Sequence, residues 1–258
     1  MGLNSKSVIN YGGGGGNQLN TGPLPAIVTP LPGDFLIYTI MWQAGLPLGG
    51  YVPQAPRFSV SDDKGQQWIN LFDLFQVGPG QGAADAYNAQ YSMSVWFCPS
   101  AKGGTFNITT TSTAVPNLQD QQGHGSLLDW QLDNRNAVLN VSKLDATNIN
   151  NPQLNLFSVQ TNQLVIATFY SPSGGGIVLT SSSPGYTVLN SFGSVGDFHD
   201  EYIVRPATSQ QPGIVTTRTG SGFPNYWLMT GLIIDISQPA LQTSQIALGE
   251  ILQMPIEE

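Results

Sequence analysis

Apolar residues along this chain occur in short runs that are separated by turn-forming residues. The runs at 35–42 and 163–170 are almost entirely apolar, whereas those at 91–98 and 105–113 alternate between apolar and polar positions. Alternation is typical of a strand with one buried face, and a short continuous run is typical of a strand buried on both faces. The pattern predicts strands at 35–42, 58–60, 68–75, 91–98, 105–113, 127–132, 163–170, 177–179, 186–189, 198–204, 215–219 and 227–236.

The strand pattern occurs twice along the chain. Residues 35–40 correspond in type to residues 163–168, and each half later passes through a proline-containing turn into a threonine-rich strand. One half has an apolar face that it cannot bury alone, so we expect the two halves to pack face to face. The prediction is an all-β fold: a two-sheet antiparallel β-sandwich, jelly-roll-like and built from two degenerate halves.

The chain ends differ in composition from this central body. Residues 1–32 contain five consecutive glycines at 12–16 and four prolines after them, so we expect an extended N-terminal arm. Glycines lose much backbone entropy on ordering, and the arm has few large apolar groups to offset that cost. We therefore expect a neighbouring subunit to hold it. The predicted organisation is an arm at 1–32, a β-sandwich domain at 33–239 and a C-terminal tail at 240–258.

Composition and charge narrow the classes of partner. Charged residues make up only 9% of the chain, and the formal net charge is −8 with eight basic residues. Binding to nucleic acid requires a basic surface that displaces counterions, and an anionic membrane attracts the same residues. We therefore expect no nucleic-acid partner and no membrane insertion. The N-terminus shows no apolar segment of a signal peptide, which predicts a protein made in the host cytoplasm.

Turn and strand motifs in both halves resemble those of a known group of domains. Residues 60–68 read VSDDKGQQW and residues 94–105 read SVWFCPSAKGGT, while the second half has PGYT at 184–187 and WLMTGLII at 227–234. These motifs resemble those of jelly-roll β-sandwich domains in phage virion proteins (decoration, fibre and tail) and bacterial surface proteins. The resemblance covers about residues 33–236. It implies the fold, through turn and core residues, and names no active site.

The candidate nucleophile and bases are few. Cys98 is the only cysteine and lies in an apolar strand, so we expect a buried, small apolar residue rather than a reactive thiol. His124 lies between glycines in the segment QQGHG, which predicts a flexible loop. No G-x-S-x-G motif accompanies either residue.

Two acidic clusters could bind a cation. Asp197, His199 and Glu201 would share one face of a strand and could hold a divalent ion, although a solvated start of a strand is the favoured interpretation. Asp62 and Asp63 lack the spacing of a calcium loop, so we expect an Asx-type turn there. The prediction is therefore no catalytic, cofactor-binding or metal-binding residue, and no cofactor.

Aromatic residues fall into two groups. The five tryptophans, at positions 42, 68, 96, 130 and 227, lie in or beside apolar strands, so we expect core packing rather than stacking on sugars. Tyr51, Tyr87 and residues 223–226 lie in predicted loops and are better candidates for recognition.

The expected function is that of a non-enzymatic virion structural protein, such as a phage capsid decoration, fibre-base or tail component. It would assemble with other virion subunits and with itself, as a homo-oligomer, through the N-terminal arm. The alternative is a carbohydrate-binding or adhesin module that recognises host or environmental glycans. A third possibility, a hydrolase, would require a pocket with converging carboxylates.

Overall fold

The structure is a computed structural model that describes residues 2–14, 22–46, 57–79, 88–113, 119–131, 138–147, 153–154, 163–171, 178–181, 186–192, 197–204, 214–219 and 226–235. Within these residues the chain is all-β and every strand pair is antiparallel. The strands are β1 (Gly2–Gly14), β2 (Leu24–Ala26), β3 (Phe35–Leu46), β4 (Phe58–Asp62), β5 (Ile69–Pro79), β6 (Asn88–Cys98), β7 (Phe106–Ser112), β8 (Gln119–Gln131), β9 (Val138–Thr147), β10 (Gln153–Leu154), β11 (Gln163–Ser171), β12 (Val178–Ser181), β13 (Thr187–Phe192), β14 (Asp197–Val204), β15 (Ile214–Thr219) and β16 (Tyr226–Asp235).

These strands form four sheets. Sheet A has the order β1-β8-β3-β6-β5 and sheet B the order β2-β7-β4. Sheet C has the order β9-β16-β11-β14-β13 and sheet D the order β10-β15-β12. Adding eight to each strand number of sheets A and B gives the order in sheets C and D, so the two halves have the same connectivity.

The expected all-β architecture of packed antiparallel sheets is confirmed, although the described residues form four sheets rather than two. Each half already divides its strands between a five-stranded and a three-stranded sheet. The strands of sheet B cover one face of sheet A, and sheet C covers the other. Two halves of this kind bury their remaining apolar faces by packing sheet A against sheet C.

Strand β3 shows why one sheet can serve two cores. Its side chains alternate, so that Leu36, Tyr38, Ile40 and Trp42 enter the core between sheets A and B, while Phe35, Ile37 and Met41 enter the core between sheets A and C. All eight residues from Phe35 to Trp42 are buried. The continuous apolar run in the sequence is thus the signature of a strand covered on both faces.

The expected N-terminal arm is not confirmed by the described residues. Residues 2–14 form β1, which pairs with β8 from Gly2↔Gln131 to Gly14↔Gln121. Ile9 enters the core between sheets A and B, and Leu3 and Val8 pack against the core between sheets A and C. This glycine-rich segment would not be ordered by its own sequence. It is ordered by its hydrogen bonds to β8 and by the burial of these apolar side chains. Within residues 22–32, Ala26 and Val28 are buried as well.

Candidate functional site

Two buried carboxyl groups, Asp34 and Asp129, lie at one end of sheet A. Asp34 closes a turn that begins at Leu31, with its backbone N–H donating to the Leu31 carbonyl at 3.1 Å. The φ angle of Gly33 is +96°, a conformation that glycine adopts easily. Because Phe35 pairs with Trp130 and Leu36 with Asp129, this turn brings Asp34 close to Asp129.

A β-bulge directs two residues of β1 towards Asp129. The register shifts between Leu3 and Ser5, so Asn4 and Ser5 together oppose Asp129. The Asn4 side-chain amide and the Ser5 hydroxyl both donate to Oδ2 of Asp129, at 3.0 and 2.7 Å. Asp129 thereby holds the N-terminal end of β1 through side-chain hydrogen bonds as well as through the backbone pairing of β1 with β8.

The second oxygen of Asp129 faces a different environment. Oδ1 is fully buried and has no hydrogen-bond donor in the structure, while the Asp34 carboxyl lies within hydrogen-bonding reach of Asp129. Asp34 is itself 3% exposed, and its Oδ2 accepts from the Leu31 N–H at 2.7 Å. Burial, reinforced by the charge of Asp34, raises the pKa of Asp129 to about 6 against the hydrogen bonds from Ser5 and Asn4.

This carboxyl pair can hold a proton but cannot reach a substrate. Two carboxylate oxygens repel each other unless a proton or a cation lies between them. Asp129 has no exposed surface and Asp34 very little, so neither can touch a molecule bound at the protein surface. Among the described residues, no group of three His, Cys, Asp or Glu side chains could hold a metal ion.

The acidic turn at residues 62–68 is built as a structural unit. Oδ1 of Asp62 accepts from the backbone N–H groups of Lys64 and Gln66, at 2.8 and 3.2 Å. Its Oδ2 accepts from the Gln66 side-chain amide and from the indole N–H of Trp68. The predicted Asx-type turn is confirmed, and four donors occupy a carboxylate that calcium binding would need free.

Two further contacts tie this turn to its surroundings. The Gln66 side-chain oxygen accepts from the Lys102 N–H at 3.1 Å, which joins the turn to the loop after β6. Asp63 accepts from the backbone and the side chain of Asn107, at 2.9 and 2.7 Å, and these hydrogen bonds lower the pKa of Asp63. The turn at residues 62–68 and the loop after β6 thus stabilise the fold.

The expected loop position of His124 is wrong. His124 lies within β8, pairs with Asn10 and Met41 and is 9% exposed. The flanking glycines suggested a loop, but Gly123 pairs with Trp42 and Gly125 with Ile40, so a residue without a side chain opposes a large one. Burial lowers the pKa of His124 to about 4, which keeps the imidazole neutral at pH 7.

The cluster at 197–201 is placed only by its backbone. Asp197, His199 and Glu201 occupy alternate positions of β14, opposite Ser171, Phe169 and Ala167 of β11. The predicted common face therefore follows from strand geometry, whereas the side chains lie outside the described residues.

Cys98 and most of the tryptophans lie where the sequence predicted. Cys98 is buried, and burial raises the pKa of its thiol to about 11, so the thiolate is strongly disfavoured. Trp42, Trp96 and Trp130 are buried, and Trp68 packs partly buried against the core between sheets A and B. None of these four forms an exposed platform for a sugar ring. The side chains of Trp227, Tyr51, Tyr87 and residues 223–226 lie outside the described residues.

Sequence reasoning missed the Asp34–Asp129 pair. The two positions lie far apart in the sequence, and only the register of β3 with β8 brings them together. A usable signal was present, since Asp129 lies between apolar residues in the run LLDWQL and a strand with that pattern places the carboxyl beside a core.

Comparisons with known proteins add no assignment: no family model, no curated protein and no solved structure matches the chain. The part of the chain that the structure describes contains no helix long and apolar enough to cross a membrane.

Proposed function

We propose that this chain is a non-enzymatic structural protein that assembles into a larger particle, and that the particle is a phage virion. The observation that carries the proposal is that the described side chains with acid, base or nucleophile chemistry are buried or held in structural contacts. Asp62 and Asp63 fasten a turn, Asp129 fastens β1, and Cys98 and His124 are buried. In this part of the chain, groups that could take part in a reaction hold turns and strands together instead.

The strand order supports the proposal through its fold. In a jelly roll of eight strands, strands 1-8-3-6 form one sheet and strands 2-7-4 belong to the other. Sheets A and B have these neighbours, with β5 added beside β6 rather than beside β4. This order agrees with the resemblance of the turn motifs to jelly-roll domains of virion proteins, which is a fold-level argument.

An exposed apolar segment supplies a surface for assembly. Strand β2 (Leu24–Ala26) is an edge of sheet B, and in the segment that continues from it Val28 is buried while Ile27 and Leu31 face solvent. Ile27 is 75% exposed and Leu31 is 50% exposed. Large apolar side chains that are exposed beside a sheet edge favour association with another subunit, and we assign this segment to a contact with a second copy.

The test measures the assembly state directly. We expect the purified chain to form oligomers in size-exclusion chromatography with light scattering, and Ile27→Lys to shift them towards monomer. Val188→Lys is the matched control, because Val188 is 48% exposed but lies on β13, at the edge of sheet C. A wild-type chain that stays monomeric, and that does not sediment with particles purified from the producing cells, would refute the proposal.

A further inference from the structure

The contacts around Asp129 contain one arrangement that the proposed function does not use. Oδ2 of Asp129 is satisfied by Asn4 and Ser5, and Oδ2 of Asp34 is satisfied by the Leu31 N–H. Oδ1 of Asp129 has no donor, although it is fully buried and the Asp34 carboxyl is within reach. A buried acceptor that meets another acceptor is costly unless something positive lies between them.

We propose that Asp34 and Asp129 form a proton-binding site, and that the shared proton latches strand β1 onto β8. One carboxyl group is then protonated and donates to the other, so that both carboxyl groups have all their partners. The proton comes from solvent and returns to solvent, and no bond other than this O–H forms or breaks.

The groups that face Asp129 come from two elements. Strand β1 presents Asn4 and Ser5, and the turn before β3 presents Asp34, which is the charged group acting on Asp129. Lys6, the cation that follows in β1, is exposed and pairs with Leu128 rather than Asp129. The groups that act on Asp129 include no described cation, so none neutralises the pair when its proton leaves.

Loss of the proton acts on β1 because β1 supplies the donors. With both carboxyl groups charged, the pair is stabilised only if water enters, and water reaches Asp129 when the Asn4 and Ser5 end of β1 separates from β8. Among the described strands β1 lies at the edge of sheet A and pairs with β8 alone, so it can separate while the rest of sheet A stays paired. The direction is fixed: β1 is held more tightly at pH 5 than at pH 8.

Hydrogen exchange of the β1 amides tests the latch on the intact chain. Each rate is divided by the intrinsic rate at the same pH, which leaves the equilibrium between closed and open β1. A pKa of about 6 in the closed state, against 3.8 in the open state, predicts an opening constant about tenfold larger at pH 8 than at pH 5. In Asp129→Asn the side-chain oxygen still accepts from Asn4 and Ser5 while its amide donates to Asp34, so this pH dependence should vanish.

Two further variants keep the test decisive. Asp34→Asn gives Asp129 a donor by the other route and should also hold β1 at pH 8, which guards against a folding defect of one variant. Asp73→Asn is the matched control, because Asp73 is exposed on β5 at the opposite edge of sheet A, and it should retain the tenfold change. Equal β1 protection at pH 5 and pH 8 in the wild type would overturn the latch. Protection at pH 8 that appears only on adding calcium would overturn it too, because the site would then bind a cation.

Discussion

The burial of His124 in β8 predicts how the stability of the protein depends on pH. Its pKa is about 4 in the folded chain and 6.5 in an exposed histidine, so the folded state binds fewer protons than the unfolded state between these values. Stability is therefore fully present above pH 6.5 and is lost as the pH falls towards 4. The whole difference corresponds to about 3 kcal/mol, of which about 2 kcal/mol falls between pH 7 and pH 5.

The assay compares wild type with His124→Gln. Urea unfolding, followed by tryptophan fluorescence at pH 5, 6, 7 and 8, gives the free energy of unfolding of each protein. We expect the difference between the two proteins to be constant from pH 7 to pH 8 and to shift against the wild type by about 2 kcal/mol at pH 5. Parallel stability curves over the whole range would refute the assignment of a buried, neutral His124.

The comparison with His124→Gln is needed because Asp129 has the opposite effect on the pH dependence of stability. Its raised pKa means that the folded state binds more protons than the unfolded state, so its contribution falls as the pH rises from 3.8 to 6. Between pH 5 and pH 7 this loss is about 1 kcal/mol, opposite in sign to the gain from His124. The two contributions largely cancel in the wild type, and each appears clearly only when the other group is replaced.

Two further predictions concern positions outside the charged groups. Gly103→Ala should lower the free energy of unfolding by at least about 2 kcal/mol, since the φ angle is +84° and an added Cβ would lie 2.8 Å from Pro32. Gly104→Ala, with a φ of +74° and its nearest atom at 3.9 Å, should cost only about 1 kcal/mol in the same urea assay. Cys98 should react with a thiol reagent at pH 8 only after unfolding, and rapid labelling of the native chain would contradict its burial.

The strand pattern was predictable where burial alone determines it. The runs at 35–42, 91–98 and 163–170 lie within β3, β6 and β11, because strands at the centre of a covered sheet must be apolar on both faces or alternate strictly. β1, β2, β9 and β10 were missed. Each lies at the edge of its sheet, and β1 contains few large apolar residues, so long-range pairing determines it rather than local pattern.

The polar groups were predictable only where they act locally. Asp62 bonds Lys64, Gln66 and Trp68, all within six positions, and a turn of that kind can be inferred from sequence spacing. Asp34 and Asp129 depend on the register between β3 and β8 and on the bulge at Asn4, neither of which any local pattern encodes. His124 was misplaced for the same reason, since its glycine neighbours are explained by the residues across the sheet.

The distance in sequence between β1 and β8 also delays the pairing of β1 during synthesis of the chain. Gly14 pairs with Gln121 and Gly2 with Gln131, so a ribosome adds more than a hundred residues before β1 can find its place. At ~5–20 residues per second this is a wait of roughly 5 to 26 seconds. A strand that waits so long must avoid pairing with other nascent chains. Its glycines, its Asn and Ser residues and the charge of Lys6 disfavour strand pairing with another chain. This explains why the sequence of β1 lacks the apolar pattern of a typical strand.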